Sequence, residues 1–188
     1  MKVLISGKNG FLCKNIIKNK DWKIFSLIKD GKHNNVDLIL HFASPSDSEG
    51  FKDKDRLVEA NIDLTITAVE EANRNKCKLI FASSMAVDNI EDDYGILKKA
   101  AELYIETHCN DYVIMRIPRV YGKYRNKGLM KKIIDNNIDD WNKEIEYIDI
   151  DDFKNWFKEV LNKNMIQYYN KTYRKNTIKE LKEIYCES

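Results

Sequence analysis

The sequence predicts an α/β fold in which helices cover both faces of a doubly wound parallel sheet. Short apolar runs rich in Val, Ile and Leu alternate with longer amphipathic stretches, which is typical of strands buried on both faces. A glycine turn follows the first run and opens a helical pattern, as in the βα units of open α/β sheets. With 188 residues, the chain can form one hydrophobic core with a small addition.

The predicted elements follow a regular order up to residue 122. Strands are expected at residues 3–6, 23–28, 36–42, 78–82 and 112–117, and helices at 11–20, 54–75 and 94–109. Residues 29–35, between the second and third strands, are too few for a crossover helix of about a dozen residues. We therefore expect one βα unit to be missing or vestigial at this point.

After Gly122 the pattern changes to short amphipathic segments, with helices expected at 127–137, 151–162 and 177–186. We expect residues 1–125 to form the domain with the sheet, and residues 126–188 to form a small, mostly helical appendage. Acidic residues before the second of these helices, from Asp149 to Asp152, are predicted to cap it. The aromatic residues of this region are predicted to form the core of the appendage: Trp141, Trp156, Phe157, Tyr168 and Tyr169.

Composition limits the classes of function. The chain has 32 basic and 30 acidic side chains, which argues against a dominant nucleic-acid surface. Four scattered cysteines and three histidines predict neither a disulfide framework nor a metal site. No apolar run approaches the roughly 20 residues that span a bilayer, and the chain opens on a strand-like segment, so we expect a cytoplasmic protein without membrane contact.

The glycine turn predicts a dinucleotide site. Gly7 permits a tight turn, and Gly10 lets backbone amides approach a pyrophosphate at the start of the helix, where the peptide dipoles favour an anion. Cys13 stands at the place of the usual third glycine and is small enough for helix and strand to pack closely. A glycine turn that only begins a helix is the alternative interpretation.

A tyrosine and a lysine in the predicted helix 94–109 form a candidate acid/base pair. Tyr94 and Lys98 are four residues apart, so the phenol and the ammonium lie on one helix face. A nearby cation favours the phenolate and lowers the pKa of a tyrosine from about 10. The same spacing is common on solvated helices, so the pair alone does not decide its role.

Taken in order, several segments resemble the extended short-chain dehydrogenase/reductase family of NAD(P)-dependent sugar-nucleotide epimerases, dehydratases and reductases. The resemblance implies a Rossmann-like sheet, and the chain would be an unusually short member. The matching segments are Gly7-x-x-Gly10-Phe11, His41-Phe42-Ala43-Ser44, Asn61-x-x-x-Thr65, Ser83-Ser84, Tyr94-Gly95-x-x-Lys98 with Glu102, and Arg116-x-Pro118-x-Val120-Tyr121-Gly122.

The resemblance implies three catalytic roles. Tyr94 would be the general acid/base at the substrate oxygen, Lys98 would hold the nicotinamide ribose and lower the tyrosine's pKa, and Ser84 would orient the substrate oxygen. The remaining implied cofactor contacts are Gly7, Asn9, Gly10, Phe11 and Leu12 at the pyrophosphate, Ala43 and Ser44 at the adjoining ribose with Phe42 beside them, Pro118 at the nicotinamide carboxamide, and Ser83 at cofactor or substrate.

The resemblance also implies a cofactor, a substrate and a partner. Asp30 would accept from a ribose 2′-hydroxyl, whereas Lys29 would meet a 2′-phosphate, so NAD is expected and NADP stays open. The implied substrate is a nucleotide-linked sugar. Helices 54–75 and 94–109 match those that pair in family dimers, so we expect a homodimer through them.

Departures from the family pattern reduce the number of reactions that the resemblance implies. Met85 and Ala86 occupy positions where 4,6-dehydratases need an Asp-Glu pair, which favours an epimerase or ketoreductase. Arg119 replaces an asparagine that helps to bind the sugar nucleotide; it could bind the diphosphate instead, or be a surface charge. Because the loops after Val87 and Gly122 are shorter than in the family, a non-catalytic NAD(P)-binding regulatory or scaffold protein remains the alternative.

Overall fold

Nine strands and seven helices make up the part of the chain that the computed structural model describes, residues 1–18, 20–28, 32–45, 51–88, 92–123, 125–162, 167–169 and 174–186. The strands are β1 (Lys2–Ser6), β2 (Lys23–Ser26), β3 (Leu38–His41), β4 (Lys78–Ser84), β5 (Tyr112–Ile117), β6 (Val120–Tyr121), β7 (Glu144–Asp149), β8 (Gln167–Tyr169) and β9 (Arg174–Thr177). The helices are α1 (Phe11–Ile17), α2 (Lys54–Val58), α3 (Leu64–Asn75), α4 (Asp93–His108), α5 (Leu129–Ile134), α6 (Ile150–Leu161) and α7 (Ile178–Cys186).

The main sheet is parallel, with the strand order β2-β1-β3-β4-β5-β8. On one face, α1 and α6 pack against the sheet, with Ile16, Phe153 and Phe157 buried there. On the other face, α3 and α4 bury Val69 and Ile105. Helices therefore cover both faces, and the predicted doubly wound, Rossmann-like fold is confirmed.

The connection from β2 to β3 contains no helix among its described residues, as the short spacing predicted. Both strands lie parallel to β1, on opposite sides of it. The backbone amide of Asp37 donates to the Lys2 carbonyl, and the Lys2 amide donates to the Asp37 carboxylate. These two hydrogen bonds hold the residue before β3 beside the start of β1, and no crossover helix is needed.

The predicted helix 54–75 is interrupted by a π-helical turn, Glu59–Asp63, between α2 and α3. Such turns displace the side chains that follow and are frequent at functional sites. Here the turn buries Ala60 and Asn61 against the rest of the fold.

The C-terminal region contains the expected helices and a second sheet of order β6-β7-β9. A small core forms where α5 and α7 pack on this sheet, and it includes Ile133, Tyr147 and Leu181. The expectation that Trp156 and Phe157 belong to the core of an appendage is wrong, because α6 buries both against the main sheet. The predicted boundary at residue 125 stays a prediction.

The surface of α2, α3 and α4 bears on the expected homodimer. Leu57, Val69 and Ile105 are buried within the protomer, whereas Val58, Ile96 and Leu103 are exposed. Exposed apolar residues of this kind suit an interface but do not identify one, so the homodimer stays a prediction.

None of the helices in the described ranges is long and apolar enough to cross a membrane.

Candidate functional site

The glycine turn between β1 and α1 lies against the end of β3. Gly7 has φ 75°, and a Cβ atom there would lie 2.8 Å from the Phe42 carbonyl and the Ala43 amide nitrogen. The Gly10 amide donates to the Gly7 carbonyl at 2.8 Å and closes the turn. No side chain caps the start of α1, so its first amides remain available to an anion.

A buried histidine fixes this edge of the sheet. The Ser6 hydroxyl accepts from the amides of Phe42 and Ala43, both at 3.0 Å, so its proton points to His41 Nδ1 at 2.6 Å. His41 Nε2 must then donate to the Thr65 hydroxyl at 2.9 Å. Burial, together with the nearby Lys98 charge, lowers the pKa of His41 to about 3, so the ring is a neutral structural link.

Tyr94, Ser84 and Lys98 meet where β4 ends beside the first turns of α4. The Ser84 side chain hydrogen-bonds the Tyr94 phenol, and the Lys98 ammonium lies 5.9 Å from the centroid of the Tyr94 ring. Asp92 caps α4 by accepting from the Gly95 amide at 2.8 Å, which fixes the helix start that carries Tyr94. Phe51 stacks on the Tyr94 ring at 4.7 Å, a contact that no sequence pattern signalled.

The pKa of Tyr94 lies above its ordinary value, opposite to the direction expected from the Tyr-Lys spacing. Burial is the main cause and outweighs the hydrogen bond from Ser84, while the Asp92 carboxylate raises the pKa further. The phenol is therefore protonated at neutral pH. In this state Tyr94 can donate a proton to a substrate oxygen.

Lys98 is the most deeply buried cation of the site, with 1% of its surface exposed. Its ammonium donates to the Ala82 carbonyl at 2.7 Å and lies 4.6 Å from the centroid of the Phe81 ring. Burial lowers the pKa of Lys98 to about 7, although the Glu102 carboxylate raises it. Lys98 consequently changes charge near neutral pH.

We expect this burial to make the stability of the protein depend on pH. The pKa of Lys98 falls from 10.5 to about 7 on folding, so the unfolded chain binds an extra proton between these values. The penalty for burying the charge is complete below about pH 7 and is relieved as the pH rises. The free energy of unfolding should therefore increase by up to about 1.4 kcal/mol per pH unit in this window.

Urea unfolding of the wild type and Lys98→Met at a series of pH values measures this effect. The difference in the free energy of unfolding between the wild type and Lys98→Met should change across this pH window. Lys99→Met, which removes a more exposed neighbouring cation, should follow the wild type. Parallel curves for wild type and Lys98→Met would show that Lys98 keeps its ordinary pKa.

Glu102, one helical turn after Lys98, is the centre of a buried charge network. It is 0% exposed and accepts from the Ser83 hydroxyl at 2.6 Å and from Arg116 at 2.8 and 2.6 Å. Arg116 also donates to Asp88 at 2.9 Å. The network ties α4 to the ends of β4 and β5, and it directs the Ser83 proton toward Glu102 rather than toward a ligand.

The other predicted site residues are distributed along the same edge. Ser44 donates to the Asn61 side chain at 3.3 Å, Leu12 is half-buried, and Asn9 is exposed. Pro118 and the exposed Arg119 lie in the link between β5 and β6. Asp30, with Lys29, lies outside the described residues, so the choice between NAD and NADP stays a prediction.

The comparison with protein families decides the classification. The family described as the NAD dependent epimerase/dehydratase family matches residues 14–157. The chain belongs to this family.

Within the described ranges, no group of three or more His, Cys, Asp or Glu side chains is arranged to hold a metal ion.

A curated relative of this family member is UDP-2-acetamido-2,6-beta-L-arabino-hexul-4-ose reductase from Pseudomonas aeruginosa. The two are 26% identical over 191 aligned positions, which cover 86% of this chain. The chain spans about half the length of that relative, since the alignment covers 50% of it.

Solved structures of similar fold include two that contain a nicotinamide cofactor. A dTDP-4-dehydrorhamnose reductase from Bacillus anthracis in complex with NADP has a TM-score of 0.75 at 18% identity, covering 97% of this chain and 79% of that one. The enzyme WbmG from Bordetella bronchiseptica in complex with NAD has a TM-score of 0.78 at 16% identity, covering 98% and 76%. At these identities the likeness shows the fold.

Proposed function

We propose that this protein is an NAD(P)-dependent ketoreductase or epimerase that acts on a nucleotide-linked sugar. The observation that carries the proposal is the meeting of Tyr94, Ser84 and Lys98 at the carboxyl edge of the sheet, where open α/β folds bind ligands. Membership of the epimerase/dehydratase family supports the cofactor class. The curated relative, a reductase of a UDP-linked keto sugar, supports the substrate class.

The residues present fit a nicotinamide dinucleotide. The Gly7 turn leaves no room for a Cβ atom, and the amides that follow it have no side-chain cap. Such a turn accommodates a pyrophosphate. Lys98 would hold the nicotinamide ribose, with Ala43 and Ser44 at the other ribose and Pro118 beside the carboxamide. The cofactor itself would supply the hydride.

Tyr94 would provide the proton in a reduction. Its raised pKa keeps the phenol protonated, so it can donate to the oxygen of a sugar ketone as that oxygen gains negative charge. Ser84 would hold the same oxygen by a hydrogen bond, since its side chain already contacts the phenol. In an epimerase the deprotonated form of Tyr94 would accept the hydroxyl proton in the first half-reaction and return it in the second, and the raised pKa disfavours that form.

A 4,6-dehydratase is disfavoured by the residues that follow Ser84. Met85 and Ala86 form the start of a 3₁₀ turn directly after β4, and neither side chain can transfer a proton. The nearest acid of that turn, Asp88, is paired with Arg116. We therefore place reduction or epimerisation ahead of dehydration.

A panel of UDP-, GDP-, CDP- and dTDP-linked sugars, including 4-keto sugars, tests the proposal. With NADH or NADPH, a reductase should consume the reduced nicotinamide when a keto sugar is present, and an epimerase should interconvert sugars without net consumption of cofactor. Cofactor binding without turnover across the panel would favour the alternative, a non-catalytic NAD(P)-binding regulatory or scaffold protein.

A further inference from the structure

Arg125 lies against the ring of Phe11, the residue that directly follows the glycine turn. Its amide donates to the Gly122 carbonyl at 3.2 Å, and its guanidinium carbon lies 5.2 Å from the centroid of the Phe11 ring. Gly122 itself packs tightly here, because a Cβ atom on it would lie 3.3 Å from the Phe11 ring. The segment after β6 is therefore in direct contact with the first residue of α1.

The charge of Arg125 has no protein counter-ion among the described residues. Its Nε atom is buried and makes no hydrogen bond, and the neighbouring Tyr121 hydroxyl is likewise buried without a partner. Burial lowers the pKa of Arg125, and the only group that opposes this shift is Tyr121. By contrast, Arg116 is paired with two carboxylates, those of Glu102 and Asp88.

A partly buried cation without a partner is costly, so its presence beside a glycine turn calls for a compensating anion. The contact with the Phe11 ring recovers some of this cost, because a guanidinium over an aromatic face is attracted to the ring. The same contact restricts the position of the guanidinium. A fixed guanidinium can bind two phosphate oxygens at once.

We propose that Arg125 is an anion-binding residue that contacts the diphosphate of a nucleotide bound against the glycine turn. The diphosphate belongs either to the dinucleotide cofactor or to the nucleotide-linked sugar. The site rests on the proposed function, but the residue and its ligand chemistry are a separate assignment. Arg119, two residues before Tyr121, is exposed and lacks the contact with Phe11 that positions Arg125.

Calorimetric titration with two probes tests the assignment and separates the sources. ADP-ribose represents the diphosphate of the cofactor, and UDP represents that of the sugar nucleotide. We expect Arg125→Met to weaken the binding of at least one probe by about 10- to 100-fold, and Arg125→Lys to weaken it less. Lys14→Met, which removes an exposed cation from α1, is the matched control and should change neither affinity.

Thermal unfolding without ligand adds a readout for the fold. If Arg125 serves a ligand, Arg125→Met removes a partly buried charge that has no counter-ion among the described residues, so its Tm should equal or exceed that of the wild type. A lower Tm with unchanged affinities would assign Arg125 to structure and overturn the inference.

The possible results distinguish this inference from the proposed function. Weaker ADP-ribose binding points to the cofactor, weaker UDP binding points to the sugar nucleotide, and either result supports the inference. If both probes bind wild type and Arg125→Met equally, the inference fails while the proposed function stands. If UDP binding depends on Arg125 but NAD(P)H never binds, the proposed function fails instead. A wild type that binds neither probe nor NAD(P)H overturns both.

Discussion

Tyr94→Phe should reduce the turnover of any accepted nucleotide sugar by about 10²- to 10⁴-fold, the usual contribution of a general acid. The affinity for NADH should stay within about twofold of wild type, because the substitution removes only the hydroxyl that Ser84 contacts. The stack of the ring on Phe51 depends on the aromatic face and is retained. Steady-state kinetics and NADH titration of the same preparations measure both effects.

Tyr104→Phe is the matched control for this prediction. It removes a phenol hydroxyl from the same helix, where the Tyr104 ring stacks on His108 at 4.3 Å, outside the Tyr94 cluster. Its turnover should match that of the wild type. Retention of more than a tenth of wild-type turnover by Tyr94→Phe would mean that another group supplies the proton.

Glu102→Gln should destabilise the fold by about 3–5 kcal/mol, the usual effect of removing one partner of a buried ion pair. The substitution removes the Glu102 carboxylate from the buried Arg116 guanidinium, which also pairs with the half-exposed Asp88 carboxylate. It also takes an ionised acceptor from the Ser83 hydroxyl. Urea unfolding at neutral pH gives the free energy of unfolding for comparison with wild type.

Two further variants make the Glu102 result specific. Glu102→Gln combined with Arg116→Gln removes both charges, so the double variant should recover part of the loss. Asp135→Asn breaks the exposed Lys131–Asp135 pair and should change stability by less than about 1 kcal/mol. A Glu102→Gln protein within about 1 kcal/mol of wild type would show that the network contributes little to the fold.

The sequence predicts the main sheet because four of its strands contain short runs of apolar residues. The runs at β1, β3, β4 and β5 are buried on both faces, and their spacing leaves room for α1, α3 and α4. Sequence could not place α6, since its apolar stripe fits any apolar surface equally well. Only the three-dimensional contacts show that Trp156 packs against the main sheet.

For the candidate site, the sequence is a better guide to which residues lie close together than to their protonation states. The family resemblance implies that Ser84, Tyr94 and Lys98 share one site, and the structure brings these three residues together. The direction of the Tyr94 pKa shift was wrong, because burial depends on surroundings that spacing does not encode. The sequence gives no signal for Arg125, because only the three-dimensional contacts show that its charge has no counter-ion among the described residues.

Titration of the protein with NADH is the most direct test of the account, because it needs no knowledge of the sugar. At about pH 6, below the pKa of about 7 for Lys98, the wild type should bind NADH saturably with one site per chain. Lys98→Met should bind at least about tenfold more weakly, because the proposed bond from the ammonium to the ribose would be lost. No saturable binding by the wild type, or equal affinity in Lys98→Met, would contradict the assignment of this edge as a nicotinamide site.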